Sequence, residues 1–180
     1  MVYNNSNRQS YGDTQNTMSE RVVYTRRIAK VVKGGRTLRF NAMVVVGDGA
    51  GSVGAGMGKA KAIPDAVRKG ASAAKRNMLQ IPLKGATIPQ VTQAKFGSSL
   101  VLIKPAPPGT GLIASGAVRA VLDAAGIKDA VSKSLKSRNP INVIHATIEA
   151  LGQLKDPQVE LAKRLGRAAP SNSDDRGDLE

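Results

Sequence analysis

The sequence predicts an α+β protein of two domains. Each half of the chain opens on runs that alternate apolar and polar residues, the period of a strand, and then shifts to the three-and-four spacing of an amphipathic helix. Between the halves, the stretch from Gln80 to Gly85 carries Pro82 just past the first helix and reads as the boundary. A chain of 180 residues fits one or two domains at roughly 100–200 residues each. The expected organisation is a disordered extension over residues 1–19, an N-terminal domain over 20–84, a C-terminal α/β domain over 85–167 and a disordered acidic tail over 168–180. The opening is rich in Asn, Ser and Gln without apolar period, and the tail carries Pro170-Ser171-Asn172-Ser173-Asp174-Asp175.

Val22, Val23, Tyr24 and Thr25 favour a first strand. Lys33-Gly34-Gly35-Arg36 reads as a hairpin tip, because adjacent glycines supply the positive φ of a tight turn. The second strand places Leu38, Phe40, Ala42, Val44 and Val46 on one face and Thr37, Arg39 and Asn41 on the other, a half-buried strand. After Gly47-Asp48-Gly49-Ala50-Gly51, a third strand sets Val53, Ala55 and Met57 against a bare face of Gly54, Gly56 and Gly58. Ile63, Ala66, Val67, Gly70, Ala73, Ala74 and Met78 then recur at helical spacing, with Pro64 tolerated in the first turn. The first half is therefore expected to be β-β-β-α.

In the second half, Thr87–Phe96 and Ser98–Lys104 read as strands around Gly97. A helix from Ser115 to Ala125 stops at Gly126, and a short strand follows over Ala130–Leu135. Asn139-Pro140 is a cap and first-turn pair for a helix carrying Ile141, Ile144, Ile148 and Leu151. A last short helix is expected over Pro157–Leu165. Domains this small bury only about 60% of their unfolded surface, so each alone is expected to be marginally stable.

The charge narrows the function. Lys and Arg number 27 against 13 Asp and Glu, a formal net charge of +14. Residues 21–84 hold 14 of the cations and only Asp48 and Asp65 as anions. Such a surface points to a polyanion. The chain has no Cys and one His, which excludes disulfides, thiolate metal sites and a Cys nucleophile; no metal and no cofactor are expected. No signal peptide is expected at the start, and no apolar run approaches the ~20 residues of a membrane span.

Two glycine motifs need weighing. Gly49-Ala50-Gly51-Ser52-Val53-Gly54 matches the dinucleotide fingerprint by letter, but the glycines continue at alternate positions to Gly58, which is strand spacing, and position 74 is Ala instead of an acid. Gly58-Lys59 is followed by Ala60, so it is not a phosphate loop. The bare glycine face instead lets another backbone, of protein or nucleic acid, come close. The strip Pro107–Ala117 resembles in part the phosphate loop of small-molecule kinases of the homoserine and mevalonate type, which makes a kinase-like phosphate binder an alternative. The remaining parts of such an enzyme are absent, and the strip reads as structure or protein contact. His145 flanks the packed helix face beside Ile144 and reads as a packing histidine, and Asp123, Asp129 and Glu149 form no acid/base pair. No catalytic residue and no small-molecule substrate are expected. Tyr24, Phe40 and Phe96 are the aromatics of the folded part, too few to stack single-stranded bases. Structured RNA, recognised through phosphates and shape, suits the chain better.

Val32-Lys33-Gly34-Gly35-Arg36, Val45-Val46-Gly47-Asp48-Gly49, Val53 through Ala60 and Ala74–Met78 resemble the ribosomal protein S-five family of the bacterial small subunit. Gly109–Ala114, Ala117–Leu122 and Asn139–Val143 agree, and the likeness runs in order over about residues 20–167. The resemblance implies a first domain like the double-stranded-RNA-binding fold and a second of the family's own α/β type. It implies a structural constituent of the small ribosomal subunit, in the cytoplasm or an organelle. That role is to bind ribosomal RNA, stabilise the head relative to the body and, with proteins S-four and S-eight as neighbours, contribute to translational accuracy. The Ala29–Arg36 hairpin matches the family's loop beside the spectinomycin site. Gly109, Thr110, Gly111 and Arg119 match its S-four contact. Met57 stands where the family often has an aromatic. On this reading Arg21, Arg26, Arg27, Lys30, Lys33, Arg36, Lys59, Lys61, Arg68, Lys69, Lys75 and Arg76 neutralise phosphates, and Gly34 and Gly35 let the finger reach its crevice. A free-standing double-stranded RNA binder or RNA chaperone is the other alternative.

Overall fold

A computed structural model of the chain describes residues 18–165; of the termini expected to be disordered, residues 1–17 and 168–180 lie outside the described residues, whereas Ser19 already opens the first strand, where it pairs with Gly47. Strands β1 (Ser19–Val32), β2 (Gly35–Gly47) and β3 (Ser52–Ala60), helix α1 (Ile63–Arg76) and strand β4 (Met78–Gln80) form the first layer pair. The sheet is antiparallel in the order β1-β2-β3-β4. The α+β class is as predicted, but the unit is β-β-β-α-β. Met78, placed by spacing on the helical stripe, instead begins β4 and pairs with Gly54. A three-residue strand shows too little period to be recognised in sequence.

The glycine face of β3 is used by the chain itself. A Cβ on Gly54, Gly56 or Gly58 would overlap backbone atoms of Ala74, Gly70 and Ala66 respectively, so α1 lies backbone-to-backbone on the strand. On that side β2 contributes Val44 and Val46 to a cluster with Ala71 and Ala74, and Ala42 packs with Ala60 and Ala66.

The expectation that β2 is half-buried is corrected at both ends. Its inner part, Ala42 to Val46, is buried on both faces, because the sheet is a middle layer. Met43 and Val45 turn away from α1 into a core shared with Val121, Leu122, Ile144 and Leu151 of the second half. At the other end Leu38, expected on the core face, is 50% exposed. Strand β3 ends opposite Phe40, so beyond it β1 and β2 continue as an uncovered ribbon.

The second half forms β5 (Thr92–Phe96), β6 (Ser99–Pro105), β7 (Leu112–Ile113), α2 (Gly116–Ala124), β8 (Ala130–Ser134), α3 (Pro140–Gly152) and α4 (Pro157–Arg164). Its sheet runs β5-β6-β8-β7, with β7 parallel to β8. Strand β5 starts five residues later than the predicted Thr87, which instead closes a turn with Lys84. The two-residue β7 was not foreseen. Helix α3 begins at Pro140 as expected, yet the Asn139 side chain makes no capping bond.

The halves share one apolar core, which relieves the marginal size of each. They are also joined by backbone bonds: Gly49 N–H donates to the Ala124 carbonyl at 3.1 Å and Gly51 N–H to Ala125 at 3.0 Å. Gly126, at φ +83°, passes so close to Gly49 that a Cβ would overlap its carbonyl. Asp48 holds this turn, its Oδ1 accepting the N–H groups of Ala50 at 2.8 Å and Ser52 at 2.9 Å. Burial pushes the Asp48 carboxyl up, but those bonds and the Ser52 hydroxyl outweigh it and hold it below the usual value. A depressed carboxylate stabilises the fold above its unfolded value and loses that contribution as pH falls through the lowered folded value. We expect Asp48→Ala to cost about 1–2 kcal/mol at neutral pH, a difference that begins to narrow in urea melts taken below about pH 4 and whose charge-dependent part is gone only below the lowered folded value. A cost independent of pH would show that the charge plays no part.

Candidate nucleic-acid interface

No acidic residue occurs between Glu20 and Asp48, the stretch that builds the β1–β2 ribbon. Beyond the end of β3 the ribbon spans Ile28–Val32 and Gly35–Arg39, five residues per strand and roughly 17 Å at ~3.4 Å per residue. Its two-residue turn is Lys33-Gly34, with Gly34 at φ +91°; Gly35, at φ +155°, opens β2 opposite Val32, and both glycines have open space around them. The hairpin predicted at Lys33–Arg36 is therefore present.

Register places the cations. Arg26, Lys30 and Arg39 share one face of the ribbon, and Arg27 and Arg36 share the other. On the first face Arg26, Asn41 and Lys59 stand side by side across three strands. Asn41 is only 9% exposed and its Oδ1 has no hydrogen-bond partner, a polar group that the charge pattern did not single out. Its signal in sequence is a lone amide in an apolar strand interior. None of Arg26, Arg27, Lys30, Lys33, Arg36, Arg39, Lys59, Lys61 or Lys69 forms an ion pair among the described residues. Closely spaced, unpaired like charge of this kind is self-repelling until a polyanion neutralises it.

The other predicted phosphate ligands are differently placed. Arg21 donates to Asp123 at 2.7 Å, bridging the two halves, and Lys75 pairs with Glu20 at 2.8 Å. Arg68 meets Asp65 at 3.1 Å on the exposed face of α1, and Arg76 Nε donates to the Ser72 carbonyl at 3.3 Å. These exposed pairs are each worth little and are easily exchanged. The hairpin and the outer face of α1 thus carry most of the predicted set, while Arg21 stands apart from both, paired across the two halves.

The predicted protein-contact residues meet at a second place. Gly109 and Thr110 lie in an exposed turn closed by the Thr110 hydroxyl donating to Pro107 at 2.8 Å. Gly111 N–H donates to the buried Asp129 at 2.8 Å, and Arg119 Nη2 to the Leu112 carbonyl at 3.1 Å. His145 stacks on Phe96 with ring centroids 4.8 Å apart, and burial lowers its pKa, as a packing histidine requires. Among the described residues no helix is long and apolar enough to cross a membrane, and no group of His, Asp or Glu could hold a metal ion.

A helix-covered antiparallel sheet with a long basic ribbon projecting from it, free of any acid from Arg21 to Gly47, presents the surface of a polyanion-binding protein. Comparison with known families identifies it further. Residues 18–82 match the family model "Ribosomal protein S5, N-terminal domain" and residues 94–165 match "Ribosomal protein S5, C-terminal domain". The chain belongs to the ribosomal protein S5 family, which gives it a structural role in the small ribosomal subunit and the binding of ribosomal RNA.

Proposed function

We propose that the β1–β2 hairpin and the outer face of α1 are the ribosomal-RNA-binding surface of this chain, carried by residues 20–84, and that residues 85–167 dock it to neighbouring proteins. The observation that carries this is the run of unpaired cations from Arg26 to Arg39, uninterrupted by any acid. On this reading the chain sits in the ribosome, tying the head of the small subunit to its body. Gly109, Thr110, Gly111 and Arg119 face protein S-four, protein S-eight is a second neighbour, and the S-four contact contributes to translational accuracy. The hairpin tip lies beside the spectinomycin site.

Sedimentation of a tagged copy through a sucrose gradient, in magnesium and moderately high salt, tests it. We expect stoichiometric co-migration with the small subunit; protein left at the top, or spread over all RNA, points to a free-standing duplex binder instead. Replacing Gly34 and Gly35 together with Ala strains two positive-φ positions. Each costs roughly 1–2 kcal/mol locally, and subunits carrying the pair should assemble poorly or change their spectinomycin response. Normal assembly with normal drug response would remove the finger from the reading.

A further inference from the structure

A groove of about 740 Å³ opens between α2, β8 and the start of α3, and it gathers unpaired cations from the second half of the chain. Arg119, Lys133, Lys136 and Arg138 line it, and no carboxylate does. None of the four forms an ion pair among the described residues. Ser132 also lines it, with its hydroxyl buried and without a hydrogen-bond partner. Gly116 and Ala117 open α2 at the groove, and this helix has no side-chain cap, so its first N–H groups and its dipole favour a negative group there. Cations this close together repel one another until an anion enters.

The same chain carries such an anion. Asp174, Asp175, Asp178 and Glu180 stand within seven residues, with Arg176 as the only cation between them. They are four of the chain's 13 acids, and of the others Glu20, Asp65, Asp123 and Glu160 are already paired with Lys or Arg. The tail thus holds the densest block of acid in the sequence. Its reach is sufficient. Leu161 and Arg164 of α4 share one cleft with Gln90. Thr92, two residues after Gln90, lies in one register row with Ile103 and Ser132, two strands away or about 10 Å. Allowing roughly 10 Å across the cleft, the groove lies about 25–30 Å from the end of α4. Asp174 follows Leu165 by nine residues and Glu180 by 15, a reach of roughly 30 to 50 Å at ~3.3 Å per residue. Ala168–Ser173 supplies an uncharged spacer.

We propose that in the free chain the acidic segment Asp174–Glu180 docks in this groove, its carboxylates meeting Lys133, Lys136 and Arg138. Exposed ion pairs are individually weak, but a tether of this length presents the acids at roughly millimolar effective concentration, so several weak pairs together hold the segment. The segment is then an internal counter-anion, and an external polyanion reaches the groove only by displacing it. The docking does not depend on the RNA-binding reading above.

Carbodiimide cross-linking of the full chain, dilute and in about 20 mM salt, read by mass spectrometry, tests the contact. The four tail acids should join Lys133 and Lys136 roughly five- to tenfold more often than Lys84, Lys95 and Lys128, which are also exposed. The excess should disappear at about 0.5 M salt. Even yields across these lysines, or links concentrated on Lys30, Lys33, Lys61 or Lys69 of the first half, overturn the proposal. In a mixture of isotope-labelled and unlabelled chains, links that join the two kinds assign the tail to a second copy and overturn it as well. The amide resonances of Gly116 and Ala117 give the second readout. Neutralising the tail with Asp174→Asn, Asp175→Asn, Asp178→Asn and Glu180→Gln should shift both. The same four changes should have no effect in a chain that also carries Lys133→Gln, Lys136→Gln and Arg138→Gln. The three groove residues are exposed, so this variant keeps the fold. A shift that survives in the groove variant, or no shift in either background, excludes the docking whatever the RNA affinity of the chain.

Discussion

Gly58→Ala should destabilise the folded chain by about 3 kcal/mol or more, visible as a fall of roughly 1–2 M in the urea midpoint. The added methyl would overlap the Ala66 carbonyl and lie 2.5 Å from the Gly70 nitrogen. Both obstacles are backbone, so no rotamer change relieves them; α1 must lift from β3 as a unit. Lifting it also opens the Val44, Val46, Ala71 and Ala74 cluster. The loss of unfolded-chain entropy on replacing glycine offsets only about 0.4–1 kcal/mol. Gly70→Ala on the facing helix supplies the comparison. There the new methyl meets the buried Val44 Cγ2 at 2.8 Å, and the nearest backbone, at Gly58 and Gly56, is 3.3 and 3.4 Å away, so a side-chain shift and not a lifted helix relieves the overlap. Its cost should be about half that of Gly58→Ala, in part because alanine favours the helix. A Gly58→Ala melt equal to or milder than that of Gly70→Ala would mean that the helix does not sit on the strand backbone as described.

Replacing Lys30, Lys33, Arg36 and Arg39 together with Gln should abolish most of the RNA affinity without touching stability. The four are exposed and none is paired within the described residues, so their removal changes folding by no more than about 0.5 kcal/mol each. If each neutralises one phosphate, the slope of log affinity against log salt falls by roughly three. Affinity near 100 mM salt then falls by roughly a thousandfold. Thermal melting gives the folding control and salt-dependent filter binding the readout. Arg21→Gln makes the contrast: its guanidinium is engaged by Asp123, so it should alter the salt slope by less than one while loosening the contact between the halves. A quadruple variant that keeps the wild-type slope would move the RNA surface off the hairpin.

The features that periodicity and turn chemistry encode locally were legible in the amino-acid sequence. The Lys33–Arg36 tip, the alternation along β2 and β3, the first helix and the stop at Gly126 all follow from neighbours within a few residues, where steric limits on φ and side-chain spacing act. The +12 balance of residues 21–84 likewise needed no structure to indicate a polyanionic partner, since net charge is additive along a chain. The glycine face of β3 was legible as a close approach, though not what would approach it.

Tertiary structure alone decided the rest. Whether the glycine face would meet nucleic acid or the chain's own helix depends on where α1 folds back, and it folds onto Gly54, Gly56 and Gly58. The double burial of Met43 and Val45 depends on the second half docking against the sheet, which a one-dimensional pattern does not contain. Arg21 and Arg26 are indistinguishable as letters, yet one is bound to Asp123, 102 positions away, and the other stands unpaired beside Asn41. Arg119, Lys133, Lys136 and Arg138 come from α2, from β8 and from the β8–α3 connection, and only packing brings them to one groove. Sequence sets how many charges a chain carries and which local shapes it can take. Which charges find partners, and which remain for a ligand, is settled by contacts between residues far apart in the chain.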